Sequence, residues 1–148
     1  MSMKKIVIIS GSPKAPGTAA SDLLSKTAAE AFQEDGSQPR VISVRRTLSK
    51  NHTEQAFAEM AAANALIIVF PLYIFCLPGI LMRFLQLYKA YADARPEGKT
   101  DALVYTVVNC GFPEPHINEE AVRVVGRFAD AVGGRFRFGV MIGGGGMY

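Results

Sequence analysis

Three short segments hold the residues whose types and spacing could do chemistry. The first reads Ser10-Gly11-Ser12-Pro13-Lys14-Ala15-Pro16-Gly17-Thr18 and runs directly into a helical pattern. Free N–H groups at a helix start, with hydroxyls from Ser10, Ser12 and Thr18, a charge from Lys14 and a glycine such as Gly17 for close approach, suit a phosphate group. The same serines and threonine also suit a simple helix-capping turn. The segment matches neither the GxGxxG of a dinucleotide fold nor the GxxxxGK[ST] of a P-loop, so neither of those nucleotide chemistries is indicated.

The second segment, Pro71-Leu72-Tyr73-Ile74-Phe75-Cys76-Leu77-Pro78-Gly79, is apolar and aromatic where a loop is ordinarily polar. Such a loop packs internally as a crossover, meets another subunit, or lines a pocket for a flat apolar ligand, with Tyr73 and the amides of Leu72 to Ile74 facing the ring. The third, Asn109-Cys110-Gly111-Phe112-Pro113-Glu114-Pro115-His116, combines a glycine for close backbone approach with an aromatic and two polar groups. His116 has the imidazole that acid–base work at neutral pH uses, and a solvated loop histidine has the same look. Cys76 and Cys110 lack a CxxC spacing or further ligands, which makes them pocket or core residues rather than a metal or cluster site. With two histidines and no GxSxG, no hydrolase triad is indicated. Arg45-Arg46 reads as a solvated strand end or as a contact for the phosphates of a nucleotide co-substrate.

The elements that must position these segments alternate along the chain. Ile6-Val7-Ile8-Ile9 is an unbroken apolar run, the mark of a strand buried on both faces. Thr18 to Phe32 has helical periodicity and stops near Gly36. A short strand at Arg40–Val44, a helix at His52–Ala63, a strand at Ala65–Phe70 and a helix at Gly79–Ala92 follow. A strand at Ala102–Val108, a helix at Ile117–Val132 and a strand at Phe136–Ile142 complete the pattern. This βαβαβαβαβ alternation predicts an α/β fold with a parallel sheet and helices on both faces. Ligands of such sheets bind outside the carboxyl ends of the strands, where the three segments fall.

Composition agrees with one globular domain over residues 1–148. The chain is 49% hydrophobic and 20% charged, with a net charge of +3, which excludes a disordered or nucleic-acid-binding polyelectrolyte. Two cysteines and no apolar leader point to a cytoplasmic setting. The uncharged run Ala65–Met82 reaches 18 residues, but Pro71, Pro78 and Gly79 break it, so it predicts a strand, a loop and a helix start rather than a membrane insertion.

Gly11-Ser12-Pro13-Lys14, Pro71-Leu72-Tyr73 with Pro78-Gly79, and Gly111-Phe112-Pro113-Glu114, at these spacings, resemble the flavodoxin-like superfamily, within it the NAD(P)H-dependent FMN reductase and quinone reductase group. The resemblance implies a doubly wound five-stranded parallel sheet of order 2-1-3-4-5 and non-covalent FMN. It implies phosphate contacts from Ser10, Ser12 and Thr18, ring contacts from Pro71, Leu72, Tyr73 and Ile74, and Asn109, Cys110 and Gly111 along the other ring edge. NADH or NADPH would be the co-substrate, with electrons passing to a quinone, a flavin or a similar small acceptor and no catalytic side chain required. Two other readings belong to the same fold: a flavodoxin-type electron carrier, which tends to be acidic, and an interaction module that no longer binds FMN. Against the family pattern the chain ends one helix early, directly after Gly143–Gly146. A shortened form, or a homodimer covering apolar surface on the sheet, is the expectation.

Overall fold

The structure, a computed structural model, describes residues 4–12, 20–34, 36–72, 76–111 and 115–143. Five strands, β1 (Lys5–Ser10), β2 (Gln38–Ser43), β3 (Ala65–Pro71), β4 (Leu103–Asn109) and β5 (Arg135–Ile142), form one sheet of order β2-β1-β3-β4-β5 with every neighbour parallel. The two central strands are those with unbroken apolar runs. Ile6 to Ile9 and Leu66 to Phe70 are all buried, because a parallel strand between two helical layers has no solvent face to which polar residues could alternate.

The helices are α1 (Ala20–Glu34), α2 (Val44–Ser49), α3 (Thr53–Ala62), α4 (Gly79–Ala94) and α5 (Glu119–Ala131), with single 3₁₀ turns at Pro96–Gly98 and Pro115–Asn118. One face of the sheet is covered by α3, α4 and α5. Leu81, Phe84, Leu85, Tyr88 and Ala92 of α4 recur at helical spacing and pack with Phe57 and Met60 of α3, Val125 of α5, and Val7, Ile9, Leu66, Ile68, Phe70, Val104 and Val108 from the strands. The Tyr88 hydroxyl, inside this core, donates to the Gly98 carbonyl at 2.8 Å. The other face holds α1, whose Leu24, Ala28 and Phe32 rest on Ile6, Ile8, Ile67 and Val69.

Several boundaries differ from the sequence expectation. The second strand runs Gln38–Ser43 rather than Arg40–Val44. Val44 is instead the first residue of α2, a helix the periodicity did not predict, and Ser43 Oγ accepts from the Arg46 amide at 3.3 Å to cap it. Arg45 and Arg46 therefore lie on a helix, not at a strand end. The expected helix at 52–63 begins at Thr53, with His52 exposed at its cap position. The helix expected from Ile117 begins at Glu119, because Pro115–Asn118 takes a tighter 3₁₀ turn first. The run Ala65–Met82 divides into β3, a connection and the start of α4, and among the described residues no helix is long and apolar enough to cross a membrane.

Candidate functional site

Parallel pairing in register brings the carboxyl ends of four strands, β1, β3, β4 and β5, side by side. Ser10 pairs with Val69, Pro71 with Asn109 and Asn109 with Ile142. The winding reverses between β1 and β3, since β1 leads outward to β2 on one side and β3 to β4 on the other, and it is at such a reversal that open α/β sheets place their ligands.

Hydrogen bonds fix the first residue of each loop. The Gly11 amide donates to the Val69 carbonyl at 2.8 Å, the Leu72 amide to the Asn109 carbonyl at 2.7 Å and the Cys110 amide to the Ile142 carbonyl at 3.0 Å. Each bond continues the ladder one residue beyond its strand, so the loops leave the sheet at defined points. Gly11 makes room for α4: a Cβ there would sit 2.8 Å from Leu81 Cδ2, so any larger residue makes the buried Leu81 side chain shift. Ser10 and Ser12 are both 4% exposed.

Of the residues expected at the site, the structure brings together Ser10, Ser12, Pro71, Leu72, Asn109, Cys110 and Gly111 at one edge of the sheet. Lys14, Gly17, Thr18, Tyr73 and Ile74 lie outside the described residues, as do Phe112 and Glu114. Pro71 and Leu72 are half-buried, and Leu72 packs against the hydrophobic core. Gly111 is exposed with open space where a side chain would stand. His116 and His52 are exposed. Cys76 and Cys110 are not joined in a disulfide, and no cluster of metal-ligating side chains occurs among the described residues.

Two features carry the local chemistry. Asn109 is 6% exposed, and its Oδ1 atom is buried without a hydrogen-bond partner among the described residues. A desolvated amide oxygen of this kind normally finds a donor, so this one is an unsatisfied acceptor at the carboxyl end of β4. Asn118, which the sequence reading passed over, is fully buried and its Nδ2 reaches Cys110 Sγ at 3.6 Å and the Ile142 carbonyl at 3.4 Å. It holds the ends of β4 and β5 in place. Its position ahead of Glu119-Glu120 reads in sequence as an ordinary helix cap, yet it makes no side-chain cap bond. The described part of the site thus offers hydroxyls, amide groups and apolar side chains but no carboxylate or imidazole.

A doubly wound parallel sheet of order 2-1-3-4-5, with its winding reversed at the β1/β3 switch, defines the flavodoxin-like class of α/β proteins. The chain belongs to the Flavodoxin_2 family, described as a flavodoxin-like fold, whose model matches residues 4–122. Solved structures agree on the fold. An NADH:FMN oxidoreductase in apo form is similar at 24% identity and a TM-score of 0.67, covering 93% of this chain and 76% of that one. An NAD(P)H:quinone oxidoreductase from Methanothermobacter marburgensis is similar at 15% identity and 0.71, covering 97% and 85%. An FMN-dependent NADH-azoreductase from Bacillus anthracis, solved with FMN, is similar at 15% identity and 0.68, covering 96% and 88%. No curated protein matches the chain.

Proposed function

We propose that the protein is an FMN-dependent NAD(P)H oxidoreductase that passes electrons to a quinone, a flavin or a similar small acceptor. The observation that carries this reading is Asn109 Oδ1, buried and without a hydrogen-bond partner among the described residues, on the strand end that pairs with Pro71 at the switch side of a flavodoxin-like sheet. An acceptor at that place suits a flat heterocycle with N–H groups on its edge. FMN, when bound, supplies the hydride and electron chemistry.

The chain's own residues would bind and orient it. Ser10 and Ser12, with Lys14, Gly17 and Thr18, would hold the phosphate. Pro71, Leu72, Tyr73 and Ile74 would flank the ring, and Asn109, Cys110 and Gly111 would line its far edge. The mild positive charge of +3 favours an enzyme meeting small anionic co-substrates over a carrier docking on basic partners.

Titration with FMN, followed by the absorption spectrum of bound flavin, tests the reading. Binding at micromolar FMN is the expected result, weakened by Thr18→Ala. Anaerobic mixing with NADH or NADPH should then bleach the flavin within seconds. Bound flavin that neither nucleotide bleaches would identify an electron carrier, and absence of binding would leave an interaction module.

A further inference from the structure

The third loop is fastened where it leaves the sheet and where it returns. β4 closes on Asn109, and the next residue, Cys110, is buried and donates its amide to the Ile142 carbonyl at 3.0 Å. At the end of the Pro115–Asn118 turn, 8 residues on, Asn118 is fully buried. Its Nδ2 reaches back to Cys110 Sγ at 3.6 Å and to the same Ile142 carbonyl at 3.4 Å. One side chain therefore joins the start of the loop, its return and the end of β5.

Asn118 holds the cap position ahead of Glu119, where an asparagine ordinarily accepts from amides of the helix's first turn. It makes no side-chain cap bond, and its backbone is already helical, at φ −80° and ψ −3°. Glu119 and Glu120 in the first turn supply the negative charge that favours a helix start without it. The amide is withdrawn from the helix and turned to the strand ends. Cys110 Sγ and the Ile142 carbonyl are both acceptors here, which selects a neutral donor. An aspartate of the same shape would set a carboxylate against a carbonyl oxygen in a desolvated place, and a leucine would take a donor away from both.

Cys110 and Gly111 are the residues that the FMN reading sets along the far edge of the ring, and this inference rests on that reading. Gly111 is exposed, and a Cβ built on it would meet nothing within 4 Å, so its place is inherited from Cys110. Groups that meet a ligand keep their geometry only when a second layer of bonds holds them. We propose that Asn118 is a positioning residue: its amide clasps the Cys110–Gly111 turn to the end of β5 and so sets the edge against which the flavin ring rests.

Thiol alkylation of the full chain without flavin, resolved for each cysteine by mass spectrometry, tests the clasp itself. In Asn118→Leu the labelling rate of Cys110 should rise about tenfold, the worth of one lost hydrogen bond, while that of Cys76 stays unchanged. FMN affinity, read from the bound-flavin spectrum, should fall about tenfold in the same variant. Asn118→Leu combined with Cys110→Ala should lose less than the product of the two single losses, since one residue acts through the other. Asn118→Ser gives the same comparison where the leucine variant does not fold. An equal rise at both thiols would make Asn118 a purely structural residue and overturn the proposal, as would an unchanged Cys110 rate or an FMN affinity that Asn118→Leu leaves intact. Wild-type protein that takes up no FMN, while Asn118→Leu still exposes Cys110 alone, would remove the flavin reading and leave Asn118 as the clasp of the loop.

Discussion

The two faces of this sheet are made by the same five strands, and they differ in almost every other respect. On one, α3, α4 and α5 enclose Phe57, Met60, Leu81, Phe84 and Tyr88 with the inward residues of β1, β3 and β4, and the Phe57 ring lies tilted against those of Phe84 and Tyr88 at centroid distances of 5.3 and 5.4 Å. On the other, α1 alone shields Ile6, Ile8, Ile67 and Val69, and β5 meets solvent. The enclosed face also sets the site, since Leu81 packs over Gly11 where the first loop leaves the sheet. Stability and ligand geometry belong to one face, while the other leaves the aromatic side chains of β4 and β5 in solvent.

The largest effect should come from the enclosed face. Phe84→Ala removes a fully buried ring and should cost about 3–5 kcal/mol, read by urea unfolding with far-UV circular dichroism. A loss below about 1 kcal/mol would mean that this core is not what holds the sheet. Gly11→Val should cost about 2 kcal/mol by overpacking Leu81, and should also reduce FMN binding because the loop is displaced.

The pH dependence also separates the faces. Burial, and secondarily the charge of nearby Tyr91, pushes the Tyr88 hydroxyl from 10.0 up to about 12. Between these values the unfolded chain has lost its tyrosine proton while the folded chain retains it. The contribution is thus fully present below pH 10 and is lost as pH rises toward about 12, by at most roughly 3 kcal/mol. Urea midpoints should fall over that window in the wild type and less steeply in Tyr88→Phe. Equal slopes would place the alkaline sensitivity elsewhere.

How much of this was legible in the sequence follows from which residues carried period or chemistry. The buried runs at Ile6–Ile9 and Ala65–Phe70 left one reading for the central strands, and the family resemblance supplied their order. α2 was not legible, because Val41, Ile42 and Val44 look alike as a β-branched series while a serine cap ends the strand between them. The two faces of β5 were hidden by its bulge. Register passes from Val104–Phe136 to Tyr105–Phe138, leaving Arg137 extra, so Phe136 joins the enclosed core while Phe138 turns to the open face. At the site, the strand-end positions Ser10, Pro71 and Asn109 could be read from topology. The part played by Asn118 could not, since its partners at Cys110 and Ile142 are tertiary.

Asn109→Leu separates stability from binding. Because Oδ1 has no hydrogen-bond partner among the described residues, an apolar residue of similar size should leave the urea midpoint unchanged or slightly raised. FMN affinity should fall by about tenfold, the worth of one hydrogen bond to a desolvated group. A stability loss with unchanged affinity would make Asn109 structural and detach the candidate site from this acceptor.

The smallest effect sharpens the contrast most. Phe138→Ser, in dilute solution, should cost less than about 1 kcal/mol, since the ring is mostly in solvent and its chief contact is the edge of Tyr105. Phe84→Ala, by comparison, should cost the same at every protein concentration, because nothing outside the chain touches that ring. If the open face is where two copies meet, the wild-type unfolding temperature should rise with protein concentration while that of Phe138→Ser stays flat, so the gap between them widens as the solution is concentrated. Parallel curves for the two proteins would show that the open face is left to water, and that the molecule tolerates an uncovered aromatic ridge because its other face supplies enough burial alone.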